Sequence, residues 1–303
     1  MTLPTLKQLR YFLALVEFNH FGRAAESCFV SQSAFSIAIR DLENLLATQL
    51  VDRTNRRVTI TDIGREIAIQ ARLTINNTET LVEMAQSSQL PLSGKLKLGV
   101  IPTIAPFLLP RFLPELRKQY PELQLYLVED TTARVHQKLL SGELDLIIIA
   151  LPFALRGVEI STLFKDPFLL ACRTRSTLID PLYYNIDKLE QESILLLEDG
   201  HCLRDHALAA CQIRDLNQVS RFSASSLLTL IEMVDADIGL TFLPEMAQGS
   251  PLLKGTRVKT YPLKEKSFRE IGIAWRKGSR REKEFRLLGE FLTHFHQNKI
   301  KHQ

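Results

Sequence analysis

The stretch Phe21-Gly22-Arg23-Ala24-Ala25-Glu26-Ser27-Cys28-Phe29-Val30-Ser31-Gln32-Ser33-Ala34-Phe35-Ser36 decides the fold of the N-terminal part of the chain. Gly22 to Cys28 is short, and Ala24 and Ala25 let a neighbouring helix approach closely. Phe29 and Val30 make a turn, and Ser31 is a good N-cap for a second helix, because its side chain can accept from a backbone N–H of the first turn. That helix is expected to bury Ala34, Ile37 or Ala38, Leu42 and Leu45. Upstream, Leu6, Leu9, Phe12, Leu13 and Val16 recur at helical spacing. Two short helices joined by a tight turn form a helix-turn-helix, in which the start of the second helix meets base edges. Gln32, Ser33 and Ser36 fall there. Gln suits adenine N6/N7, and Ser can donate or accept.

Working outward, Val51 to Thr61 alternates apolar and polar residues around Asn55-Arg56-Arg57. This reads as a wing whose Arg53, Arg56 and Arg57 reach phosphate or minor groove; the plainer reading is a solvated turn. Thr61 can cap a long helix from Asp62 to about Gln89. Along it Ile63, Ile67, Ala71, Ile75, Thr78, Val82 and Ala85 form one stripe. Nothing else in the region is expected to cover that stripe, so it implies helix-to-helix dimerisation; the plainer reading is packing on its own domain. Pro91, Ser93 and Gly94 then end the helix and make a hinge.

Composition sets the frame. A chain of 303 residues implies two or three domains. At 45% hydrophobic content it has enough apolar material for real cores. No apolar run reaches the ~18 residues of a membrane span, and Met1 to Arg10 lacks the apolar core of a signal peptide, so a cytoplasmic protein without membrane contact is expected. Four cysteines in such a chain are not a disulfide framework. The net charge of +4 is modest for a nucleic-acid binder, and acidic and basic residues balance over residues 1–90. Only the local arginine cluster points to DNA.

From Lys95 onward the pattern changes. Lys95–Val100, Leu123–Val128 and Leu144–Ala150 read as strands, separated by helical segments ending near Lys118 and Leu140. The pattern restarts with strands at Phe168–Cys172 and Ile194–Leu197, and closes with a strand at Ile271–Trp275 and a helix at Lys283–Phe295. Alternating strand and helix predicts an α/β domain with a mostly parallel sheet. Ligands in such sheets sit beyond strand C-termini, at helix N-termini. Thr103, Thr132, and His201 with Cys202 follow three separate strands and are expected to converge on one cleft.

The run Glu198-Asp199-Gly200-His201-Cys202-Leu203-Arg204-Asp205-His206-Ala207-Leu208-Ala209-Ala210-Cys211 carries the chemistry. If Leu203 to Cys211 is helical, the two cysteine Cα atoms lie about 13 Å apart at 1.5 Å per residue, on nearly opposite faces. A disulfide needs Cα atoms within about 7 Å, so the pair can bond only if the segment unwinds. Peroxide reacts with thiolate, not thiol. A helix N-terminus, His201 and Arg204 would each favour the anion, as would Arg269 if the chain returns it. Thr103 and Thr132 could hold the two peroxide oxygens, and Cys211 could condense with the sulfenic acid formed on Cys202. Two other readings stay open. A zinc site on these cysteines with His201 and His206 has the wrong spacing for a knuckle. Inert core thiols suit Cys211 better than Cys202, while Cys28 and Cys172 are most simply structural.

Phe21-Gly22-Arg23-Ala24-Ala25, Val30 through Ser36, Ile39-Arg40-Asp41-Leu42-Glu43, and Arg53 through Ile60-Thr61 together resemble the N-terminal signature of the LysR-type transcriptional regulators. Ala47 departs from it, where Gly is usual, and so does Val51, where Phe is common. Leu197 through Asp205, with Cys211, is similar to the redox motif of the peroxide-sensing members of that family. The resemblance implies a winged helix-turn-helix domain (1–61), a linker and dimerisation helix (62–90), and a periplasmic-binding-protein-like α/β regulatory domain (91–303). That domain would have subdomain I at about 91–164 and 268–303 and subdomain II at about 165–267. It implies Cys202 as peroxidatic and Cys211 as resolving cysteine, with Thr103, Thr132, His201, Asp205 and Arg269 in support. It further implies a homo-tetramer whose oxidised form binds promoter DNA differently and activates antioxidant genes through RNA polymerase, a thiol reductant of the glutaredoxin or thioredoxin type, and no metal or organic cofactor. The alternative is a regulator of this family that responds to a small-molecule effector in the same cleft. A thiol peroxidase, the reading from a different class, is opposed by the N-terminal ninety residues.

Overall fold

The computed structural model describes residues 2–54, 57–86, 91–183, 189–211, 213, 215–263 and 267–301. The chain divides into two compact units, Met1–Gln89 with Ser141–Glu143, and Leu90–Leu140 with Leu144–Gln303.

In the first unit α1 (Leu6–Phe18) starts from a capping box in which Thr5 and Gln8 satisfy each other's backbone N–H. Helix α2 (Phe21–Ser27) and helix α3 (Gln32–Leu46) flank the expected turn, and the Ser31 side chain accepts from Ala34 N. Strands β1 (Val51–Thr54) and β2 (Arg57–Ile60) pair antiparallel as the wing, and α4 (Asp62–Gln86) follows with Thr61 Oγ1 accepting from Gly64 N. The buried face of α3 differs from the expected one. Phe35, Ile39 and Leu42 point into the core, whereas Ala34 is exposed and Ile37 is 56% exposed. The two registers are similarly apolar, and the large Phe35 ring, packed against Tyr11 and Phe21, decides between them. Ala47 holds a left-handed backbone (φ 48°) as C-cap of α3, a conformation in which glycine carries no Cβ penalty. This explains why alanine is the unusual residue there.

The α4 stripe is also corrected. Ala68, Ala71 and Ile75 pack into the core formed with α1, so the unit itself covers the middle of the helix. Ile63 and Val82 of the stripe remain over 40% exposed, as does the neighbouring Leu81.

The second unit is built on a mixed sheet. Strands β3 (Gly94–Val100), β4 (Leu123–Glu129) and β5 (Leu146–Leu151) are parallel, with α5 (Ala105–Gln119) and α6 (Thr132–Leu140) as crossovers. Strand β6 (Val158–Arg173) is a single run of 16 residues where only Phe168–Cys172 was expected as a strand. Its first part pairs antiparallel with β11 (Phe268–Arg276), and β11 pairs antiparallel with β5. Its last part pairs antiparallel with β10 (Val258–Pro262) and β9 (Thr241–Pro244). The switch of partners falls at Pro167, which has no N–H to give to a ladder. The sheet is therefore less parallel than expected. Strands β7 (Ile194–Leu197) and β8 (Val219–Ala224) pair in parallel, and α7 (Cys202–Ala210) and α8 (Leu227–Asp235) follow them. The terminal α9 (Glu282–Lys301) packs on β6 and β11, burying Phe285, Leu288 and Leu292. Among the described residues no helix is long and apolar enough to cross a membrane.

Candidate functional site

Sequence spacing places Cys202 at the first position of α7. The chain leaves β7 through Asp199 and Gly200, and Gly200 takes a φ of 98° that an L side chain rarely adopts. His201 is the N-cap and makes no side-chain capping bond. Cys202 is therefore at the positive end of a helix dipole, which favours a thiolate, and it is 6% exposed.

Three other elements converge on it, and a fourth joins them through Arg269. Thr103 follows β3, Thr132 opens α6, Arg269 lies on β11, and Asp166 lies directly across from Arg269 on β6. All four are 1% exposed. The Arg269 guanidinium donates through Nε to Asp166 Oδ2 at 3.0 Å, through Nη1 to Thr103 Oγ1 at 3.1 Å, and through Nη2 to the Thr103 carbonyl at 2.8 Å. Nη2 also meets Met246 Sδ at 3.5 Å, and Met246 N donates to Asp166 Oδ1 at 3.1 Å. One buried cation thus ties the Thr103 turn to β6 and to the short helical turn Glu245–Ala247.

Burial dominates the Cys202 thiol and pushes its pKa up. Thr132, then the Arg269 charge, then Thr103 pull it back, and Asp205 pushes it further up. Thr132 Oγ1 lies near enough to favour the anion, yet it closes no hydrogen bond of ordinary geometry among the described residues. Burial also pushes the Asp166 carboxyl up, against the pull of Arg269 and Met246 N.

The expected site residues divide on inspection. Thr103, Thr132, Cys202 and Arg269 come together. Arg204 does not join them: its Nε pairs with Asp199 Oδ1 at 3.0 Å, and Nη1 donates to Leu197 O at 3.4 Å. Asp205 is exposed, and its charge opposes ionisation of the thiol rather than supporting it. Cys211 caps the other end of α7 and is 3% exposed, with its N–H donating to Ala207 O at 2.9 Å. The described cysteines are thiols. Among the described residues no group of three or more His, Cys, Asp or Glu is placed to hold a metal ion.

Two neighbours were missed, and a third, His206, was read only as a ligand of the zinc alternative. Asp166 carried a faint signal, a charged residue before proline inside an apolar strand. Met246 carried none. His206, four residues beyond Cys202, falls on the same helix face; it is 8% exposed, with Nε2 at 2.9 Å from the Pro152 carbonyl.

In the first unit Gln32 and Ser33 are exposed and Ser36 is half-buried, with Ser31 Oγ and Ser33 Oγ at 3.1 Å. Ile37 and Arg40 are exposed on the same helix, and an exposed aliphatic group there suits a thymine methyl. Arg53 and Arg57 lie on β1 and β2, and Asn55 and Arg56 lie outside the described residues.

Comparison with known proteins shows two matching family models. Residues 6–65 match the bacterial regulatory helix-turn-helix protein, lysR family, and residues 89–297 match the LysR substrate binding domain. The HTH-type transcriptional regulator EstR of Acinetobacter baylyi is 37% identical over 291 residues, 96% of each chain. The DNA-binding transcriptional dual regulator OxyR of Escherichia coli is 38% identical over 288 residues, 95% of this chain and 94% of that one. The structure of a full-length OxyR variant from Pseudomonas aeruginosa superimposes with a TM-score of 0.79 at 33% identity, over 96% of this chain and 95% of that one.

Proposed function

This chain belongs to the LysR family of bacterial helix-turn-helix transcriptional regulators, and we propose that it senses hydrogen peroxide through Cys202 and reports the oxidation to promoter DNA. The carrying observation is the setting of Cys202: a buried thiol at a helix N-terminus, beside two buried hydroxyls and one buried guanidinium. The thiolate attacks one peroxide oxygen, the O–O bond breaks, and sulfenic acid and hydroxide form, the hydroxide leaving as water with the proton that the thiol gave up. Thr132, with a hydroxyl to spare, and Thr103 hold the peroxide oxygens. The Cys211 thiol then condenses with the sulfenic acid, releasing a second water and leaving a disulfide. Closing that bond requires α7 to unwind, since its two ends hold the two sulfurs apart. A dithiol reductant of the glutaredoxin or thioredoxin type resets the pair.

We place the chain in the cytoplasm as a homo-tetramer whose oxidised form activates transcription by RNA polymerase. The three functional regions are 1–61 for DNA reading, 62–90 for linkage and dimerisation, and 91–303 for sensing, with subdomains divided near 164 and 268. Gln32, Ser33 and Ser36 read bases while Arg53, Arg56 and Arg57 hold phosphates. The second reading, a small-molecule effector bound at the same place, takes its support from the match of residues 89–297 to the LysR substrate binding domain. It is disfavoured because Arg269 is already engaged by Asp166 and Thr103 and has little left for an anionic ligand.

Two measurements test this proposal directly. In Cys211→Ser, peroxide should stop at the sulfenate, seen by mass spectrometry as one oxygen on Cys202 that a dimedone-type reagent captures. A disulfide from Cys202 to Cys28 or Cys172 would overturn the pairing. Arg53→Ala or Arg56→Ala should weaken binding evenly across DNA sequences and lower the log–log salt slope by about one per lost contact. Unchanged affinity in both variants would remove the wing from the interface.

A further inference from the structure

We propose that His206 is the proton acceptor for the Cys202 thiol. The proposal rests on the peroxide-sensing reading above and deepens it. A carbonyl oxygen can only accept, so the 2.9 Å contact between His206 Nε2 and Pro152 O fixes the ring proton on Nε2. In the neutral ring Nδ1 is then a bare lone pair. That atom is buried and has no hydrogen-bond partner among the described residues. An unfilled acceptor in a buried position costs free energy unless it is used.

The helix places it on the thiol's side of α7, outside direct hydrogen-bond reach of Cys202 Sγ, so one bridging water joins the two. His206 stands four residues after Cys202 on α7, and side chains at that spacing are neighbours on one face. Both sense the same buried cation, Arg269, across from β11. Burial and Arg269 hold the imidazole below its usual pKa, opposed by Asp205 and the Pro152 carbonyl, so it is neutral at pH 7 and able to take a proton. The charged groups around it are thus Arg269 from β11, Asp205 from its own helix, and Asp166 beyond Arg269 on β6.

This answers a difficulty in the chemistry. Burial makes the Cys202 thiol a weaker acid than usual, yet only the thiolate attacks peroxide. With His206 as acceptor, the S–H proton passes through one bridging water to Nδ1 as sulfur attacks one oxygen of hydrogen peroxide. The O–O bond breaks, the departing hydroxide takes that proton from Nδ1, and water leaves. The sulfur is oxidised, the peroxide is reduced, and His206 returns to its starting state.

The test is the rate of Cys202 oxidation in the reduced full-length protein between pH 5 and 9, quenched by alkylation and read by mass spectrometry. The wild type should show an inflection below the ordinary histidine value, with the rate falling in acid as Nδ1 fills. His206→Gln keeps an N–H for Pro152 but has no basic atom. It should lose that inflection and react about a hundredfold more slowly at pH 7, the low end of what a positioned base supplies. Its rate should climb with pH as the thiol ionises unaided. Equal rates and profiles in the two proteins would overturn the role of His206 while leaving peroxide sensing in place. A wild-type Cys202 that peroxide does not oxidise would instead overturn the sensing reading itself. Independently of both, nitrogen NMR of histidine-labelled protein, with His206→Gln used for assignment, should find the Nε2–H tautomer at pH 7. A proton on Nδ1 at that pH would sink the proposal whatever the kinetics.

Discussion

Replacing Cys202 by serine should abolish every peroxide-dependent change in DNA binding while leaving the affinity of the reduced protein for its operator intact. The substitution keeps the shape of the side chain, and the new hydroxyl can pair with Thr132 Oγ1, which has no partner of its own among the described residues. It removes the thiol at the site. The residues proposed to read bases lie on α3, in a separate compact unit with its own core of Phe12, Leu15, Phe35, Ile39 and Leu42, so operator affinity measured across a salt series should overlay the wild type. Other thiols are poor substitutes. Burial and the Asp237 charge push Cys172 up to about 11, so at pH 7 only about one molecule in ten thousand carries that thiolate. Cys28 belongs to the DNA-reading unit, far in sequence from Thr103 and Arg269. A Cys202→Ser protein that still shifts its footprint with peroxide would transfer the sensing to another thiol. One that shifts with a metabolite extract and not with peroxide would favour the small-molecule reading.

Where signals were local, the sequence carried them. The Ser31 and Thr61 caps, the helix between Cys202 and Cys211, and the strand ends bearing Thr103 and Thr132 all rest on neighbours within a few residues. Distant partners were not legible. The strand read from Phe168 leaves out Asp166-Pro167, because nothing nearby can neutralise a buried carboxylate; the neutralising Arg269 comes from 103 residues further on. Charge adjacency in sequence also misled. Arg204 stands two positions after Cys202, about 200° around a helix with 3.6 residues per turn, so it points to Asp199 instead of the thiol. His206 obeyed the same geometry in the opposite sense: four positions bring it back to the Cys202 face, a signal present in the sequence and read only as part of a zinc alternative. The buried face of α3 was a choice between two similarly apolar registers that only the packing of Phe35 resolves.

Arg269→Gln should produce the largest loss of stability of any single change at the site. Arg269 and Asp166 are each 1% exposed and meet at 3.0 Å. Removing one partner of such a pair leaves the other charged and buried, which costs about 3–5 kcal/mol. The variant should also have a distinctive pH dependence. Without the guanidinium, burial acts on Asp166 with less opposition, and its folded pKa, already raised by burial, climbs further above the unfolded value of about 3.9. A carboxyl raised in the folded state adds stability below its unfolded pKa and loses it as pH climbs through the folded value. Urea midpoints should therefore show the greatest deficit near neutrality and a partial recovery toward pH 5. Adding Asp166→Asn should return about 2–3 kcal/mol, the coupling expected of residues in direct contact. The same variant should oxidise slowly at pH 7, because Cys202 loses the cation that opposes its burial, and should approach the wild-type rate as alkali ionises the thiol. A deficit below about 1 kcal/mol that does not change with pH would mean that water reaches the pair, and Arg269 would no longer qualify as the cation that sets the thiol.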